Sequence, residues 1–149
     1  MRQLVFALEF RGRGGPVPGS TTKRQARTTA PSQTWRTILG SRGVTAAVEP
    51  VAGESAVLES RVERFPDGSF VEDGTITYGT AGSVSFDTVG RGHAGPAPDG
   101  IGSHGVVMWR IAGGDGRFAG AQGLITSNFT VTPDGEVTDN HFTRLYLPD

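Results

Sequence analysis

The sequence predicts an all-β fold: a single antiparallel β-barrel of about eight strands, occupying residues 1–149 as one domain. Three observations predict it. Short apolar or alternating runs recur along the chain, separated by Gly- and Pro-rich turns. No run keeps a helical period for more than a turn or two. The first and last runs, Leu4–Phe10 and Phe142–Leu147, are too apolar to stand as open edges, so pairing them with each other closes the sheet.

Taken in order, Leu4–Phe10 is apolar on both faces until Glu9, which is the pattern of a strand covered on both sides. Residues 11–33 hold Gly, Pro, Ser and Thr with no apolar period and read as a long loop, either disordered or a lid. Apolar content resumes at Trp35 and at Ile38 and Leu39, and Val44–Val51 reads as a short strand. Ser55–Phe65 alternates cleanly, Ala56, Leu58, Ser60 and Val62 on one face and Glu59, Arg61 and Glu63 on the other. Pro66-Asp67-Gly68 turns this strand into Phe70–Tyr78, and Thr80-Ala81-Gly82 leads on to Ser83–Val89. Gly90–Ser103 is again rich in Gly and Pro and reads as a second long loop lying across one mouth of the barrel. His104–Ala112, Leu124–Thr132 and Glu136–Leu147 complete the strands, the last two joined by Pro133-Asp134-Gly135.

Composition narrows the function classes. A chain of 149 residues buries one core, and although 23 Gly and 9 Pro exceed average usage, Val, Ile, Leu and Phe spread throughout argue against disorder. The absence of cysteine excludes disulfides, zinc–thiolate sites and cysteine nucleophiles. The N-terminal apolar run is interrupted at Glu9 and lacks a small-residue cleavage site, and no stretch approaches the roughly 20 apolar residues of a membrane span. A cytoplasmic protein with no membrane partner is the expectation.

Net charge is −1, yet the seven cations Arg11, Arg13, Lys23, Arg24, Arg27, Arg36 and Arg42 lie between Glu9 and Glu49 with no acid among them. Such a segment can attract anions, which leaves an interaction module built on residues 11–42 as one reading. Stacking aromatics are nearly absent there, so nucleic acid is not an expected partner and a solvated loop balanced by the acids of residues 49–73 is the plainer reading.

The most distinctive stretch is Gly113–Gly123, GGDGRFAGAQG, between a strand containing Trp109 and the strand Leu124–Thr132. A strand follows where a nucleotide-binding loop would open a helix, which argues against phosphate binding. The run instead resembles the G-x-G-x-F/Y-x-G-x-x-G corner of the allene oxide cyclase-like barrel superfamily, which includes allene oxide cyclases, dirigent proteins and bacterial spirotetronate [4+2] cyclases. The resemblance covers about 45 residues and implies a calycin-like barrel in which Phe118 plugs one end. It further implies a cofactor-independent cyclase or isomerase that holds an apolar, natural-product-like substrate folded in the barrel cavity. A non-catalytic carrier of an apolar ligand is the alternative on the same fold.

An eight-stranded barrel is just wide enough for one small ligand. Candidate catalytic residues are Glu9, the one acid in an otherwise apolar strand, and His141 with Asp139 two positions away on the same face, where a carboxylate can orient an imidazole as a base. If Glu9 points inward, burial should raise its pKa. Candidate substrate contacts are Tyr78, Met108, Trp109, Phe142 and Tyr146, with Asn128 as a polar anchor, although the same aromatics would serve equally as core. His93 and His104 read as solvent-facing, and the three histidines are too scattered for a metal site. Neither metal nor cofactor is expected. The expected partner is a small apolar molecule in the cavity, and strands apolar on both faces leave a homodimer open.

Overall fold

The computed structural model describes residues 1–149 and contains eleven strands. In chain order these are β1 (Arg2–Pro16), β2 (Lys23–Ala30), β3 (Gln33–Gly40), β4 (Gly43–Pro50), β5 (Ala56–Arg64), β6 (Ser69–Tyr78), β7 (Gly82–Thr88), β8 (Gly92–Pro96), β9 (Ser103–Gly114), β10 (Gln122–Val131) and β11 (Glu136–Leu147). Strands β1, β2, β5, β6, β7, β9, β10 and β11 close an antiparallel barrel in that order. The closing pair runs from Arg2 opposite Leu147 to Arg13 opposite Glu136, which hides the edges that two apolar terminal strands would otherwise expose. Two insertions interrupt the meander. Strands β3 and β4 form a separate hairpin between β2 and β5, and the short β8 pairs with the first residues of β6 and β9 at one rim. No helix is long and apolar enough to cross a membrane.

Inward-facing residues sort into layers along the barrel axis. Phe10, Ile76, Val84, Trp109, Ile125 and Leu145 fill the middle, each no more than 1% exposed. Burial of each such side chain contributes about 1.5–3 kcal/mol. One end is plugged: Phe118 reaches in with its ring centroid 5.2 Å from Tyr78, and Phe6 meets Tyr78 edge-on at 5.5 Å. Phe118 arrives there from the Gly-rich corner, a single 3-10 turn over Gly116–Phe118 between β9 and β10. Gly116 has φ 54°, in the left-handed region, and a Cβ there would overlap the Ala81 carbonyl. Asp115 fastens the corner to β7, accepting from the Ser83 amide at 2.6 Å and the Ser83 hydroxyl at 3.0 Å.

The two expected lids are strands. Residues 11–33 are not a loop: β1 continues through Pro16, β2 occupies Lys23–Ala30, and only a short turn separates them. The two strands approach so closely that a Cβ on Gly12 would overlap the Arg27 carbonyl. Within 90–103, residues Gly92–Pro96 form β8, so this segment frames one mouth as a rim strand. Val44–Val51, by contrast, corresponds to β4 and lies in the outboard hairpin, outside the barrel wall.

Candidate functional site

The end opposite Phe118 holds an open cavity of about 470 Å³, within the size range of small-molecule sites. Its walls are the last inward positions of β5 and the first of β2, β6 and β11, with the end of β8, the start of β9 and the end of β10 completing the rim. These positions carry small or medium side chains, among them Gly14, Ala26, Thr28, Ser60 and Val62, and that is why the larger cavity forms here, whereas the rings of Phe6, Tyr78 and Phe118 meet at the other end.

Two carboxyl groups face it, Glu72 and Asp139. Glu72 shares the inward face of β6 with Phe70 and Ile76. Its backbone is held where the β6–β7 ladder ends: the Glu72 amide donates to Thr88 Oγ1 at 2.7 Å, and that hydroxyl donates to the Glu72 carbonyl at 2.7 Å. Burial pushes the Glu72 carboxyl up to about 8, and the nearby Asp139 and Asp73 charges act in the same direction. Ser60 and Trp109 oppose the shift from the side of the carboxyl, but Ser60 Oγ and Trp109 Nε1 stand outside good hydrogen-bond geometry and have no other partner. The protonated form of Glu72 is thereby favoured at neutral pH.

Asp139 is differently held. Its two oxygens meet Ser127 Oγ at 2.6 Å and His141 Nε2 at 2.9 Å. The barrel register creates this: Ser127 lies directly opposite His141 on β10, one diagonal step from Asp139, and Phe129 lies opposite Asp139 itself. His141 is 2% exposed, stacked on Phe10 at 4.4 Å and edge-on to Trp109 at 5.1 Å. The imidazole thus stands behind Asp139, in the core, and it is the carboxylate that reaches the cavity.

The other sequence candidates are placed by strand parity. Trp109 points inward beneath Glu72, stacked on Phe86 at 4.2 Å. Tyr78 also points inward, but at the plugged end, where burial raises its hydroxyl pKa and where it borders a second, smaller cavity with Phe6 and Phe118. Met108, Asn128, Phe142 and Tyr146 do not face the cavity. Each alternates with an inward neighbour, Trp109, Ser127 or Phe129, His141 or Thr143, and Leu145 or Leu147, and so lies on the outer wall. Glu9 is likewise on the outer wall. Burial works to raise its pKa, but hydrogen bonds from Asn140 and Arg11 and the Arg11 charge outweigh that and hold it below the usual carboxylate range. The basic segment is largely neutralised in place, with Arg11, Arg13, Arg27 and Arg36 paired to Glu9, Glu136, Glu59 and Glu49.

Glu72, Ser60 and Ser127 were not singled out from the sequence. One signal for Glu72 was present: along Phe70–Tyr78 it is the only charged residue on the face that carries Phe70, Ile76 and Tyr78. No group of His, Cys, Asp and Glu residues is arranged to hold a metal ion. Compared with protein-family models, with curated proteins and with solved structures, the chain matches none.

Proposed function

We propose that the barrel binds an apolar, natural-product-like substrate in its open cavity and catalyses an isomerisation or ring closure by proton transfer. The observation that carries this reading is Glu72, a carboxyl kept protonated at neutral pH and facing a ligand-sized cavity across from Asp139. Glu72 donates its proton to a substrate oxygen while Asp139, fixed by Ser127 and His141, takes a proton from a carbon beside the carbonyl. In an isomerisation the protons then return, from Asp139 to a different carbon and from the substrate hydroxyl to Glu72, so both carboxyls end as they began. The likeness of Gly113–Gly123 to the allene oxide cyclase-like corner points to the same class of reaction.

The test uses a panel of apolar enones and polyenes in D2O, with binding read from the thermal midpoint and chemistry from deuterium uptake at carbon and from chromatographic separation of isomers. A ligand that binds only the native state must raise that midpoint. Glu72→Gln and Asp139→Asn are each expected to lower turnover by about 10²–10⁴ with binding little changed, the usual span for a general acid or base. A ligand that stabilises the wild type yet returns without deuterium and unrearranged would make the barrel a carrier.

A further inference from the structure

We infer that the cavity selects ligands bearing an anionic group, held at the open rim by Arg24 and Arg64 while the apolar body extends inward to Glu72. This rests on the cavity being the binding site, as proposed above.

Both arginines line the cavity. Arg24 shares the inward face of β2 with Ala26 and Thr28, and Arg64 that of β5 with Val62 and Ser60. Neither has a carboxylate partner, whereas Arg11, Arg13, Arg27, Arg36, Arg61 and Arg110 are each ion-paired. Burial, and then the charge of Arg64, lowers the Arg24 pKa from the ordinary arginine value. Two like charges at one mouth repel each other, and an anion seated between them relieves the repulsion while using the planar donor forks of both. The acids of the same cavity do not serve as that anion, because the groups acting on Glu72 are Ser60, Asp139, Trp109 and Asp73, with no arginine among them.

The cavity is therefore polarised, with cations at the rim, carboxyls deeper on β6 and β11, and the apolar side chains of Ala26, Val62, Phe70 and Phe129 beside them. Register sets the separation: Arg24 lies opposite Val62 and Val62 opposite Glu72, so the Arg24 and Glu72 backbones are two strand spacings, roughly 10 Å, apart. A ligand that satisfies both groups has an anionic head and an apolar body reaching roughly that far.

The probes are decanoate and decan-1-ol, which share a chain and differ in the charge of the head. Dissociation constants are measured by calorimetry at low and high salt for the wild type and for the Arg24→Gln/Arg64→Gln double variant; the single variants give the same test should the double variant not fold. The wild type is expected to bind decanoate at least about tenfold more tightly than the alcohol, the size of one charge-assisted hydrogen bond. Salt should erode that preference, and the double variant should lose it with alcohol binding unchanged. Equal binding of the two probes by the wild type, or an acid preference that survives both substitutions, overturns the inference and leaves the cavity reading standing. Binding of neither probe overturns both.

Discussion

The two ends of the barrel are made by the same strands and differ in what those strands turn inward. Toward the plugged end β5, β6 and β11 present Leu58, Ala56, Ile76, Tyr78, Leu145 and Leu147, and the Gly-rich corner adds Phe118. Toward the open end they present Ser60, Val62, Glu72, Val137 and Asp139, and β2 adds Ala26 and Thr28. Backbone architecture is continuous through both halves, so the size and polarity of alternate side chains decide where the interior is core and where it is a cavity. Apolar packing is concentrated at one end and the inward-facing carboxyls at the other, as is expected where polar groups occupy volume that apolar packing would otherwise fill.

The sharpest way to break the plugged half is Phe118→Ala. Removing a ring that packs on Tyr78 leaves a cavity in the plug and should cost about 3–5 kcal/mol, measured by urea denaturation. Ligand binding at the far end should persist wherever the variant remains folded.

Glu72→Gln probes the open half through pH. The folded pKa of about 8 lies above the unfolded value of 4.5, so the contribution of Glu72 is fully present below the unfolded value and is lost as pH rises through 8. Wild-type stability should fall by a few kcal/mol between about pH 5 and pH 8 and then level off, whereas the variant should lack this fall. The carboxylates of Glu9 and Asp134 have pKa values lowered in the fold, so they act in a separate window, weakening the protein only as pH drops toward about 4 and below. Thermal midpoints across the two windows separate these contributions.

Ala26→Phe should have the smallest effect on stability. The new ring would enter open cavity volume, so the unfolding free energy should change by less than about 1 kcal/mol while ligand binding is lost. The same substitution in a packed layer would be destabilising. A large loss of stability here would mean that the open end is packed as tightly as the plugged one.

The same contrast explains what was legible in the sequence. Closure of the barrel by its first and last strands followed from their apolar character, and the end-plugging position of Phe118 followed from its corner. The strand β2 escaped notice because its inward residues are Arg24, Ala26, Thr28 and Ala30, and a strand that walls a cavity carries no apolar alternation to detect. Val44–Val51 had the composition of a barrel strand but sits in the outboard hairpin, so the expected number of barrel strands was right while one member was wrong. On β9, β10 and β11 both faces bear large apolar residues, with Val106, Met108, Leu124 and Phe142 exposed, so alternation alone could not say which face was inside. Trp109 settled it by taking the interior, which sent Met108 outward and, through the register, Asn128, Phe142 and Tyr146 with it. Asp139 and His141 were visible as a pair on one face. Their 2.9 Å contact and the reach of Asp139 into the cavity depended on Ser127, Phe10 and Trp109 arriving from three other strands.

The central claim is that Glu72 is a protonated acid inside an open cavity, and its most direct test is the titration of glutamate side-chain carboxyl carbons by 13C NMR between about pH 3 and pH 10. One resonance in the wild type should titrate near pH 8 and be missing from the Glu72→Gln spectrum, with the remaining glutamates titrating in or below the ordinary carboxylate range. If every glutamate of the wild type is ionised by about pH 6, Glu72 is an ordinary carboxylate and the open end has no acid to offer.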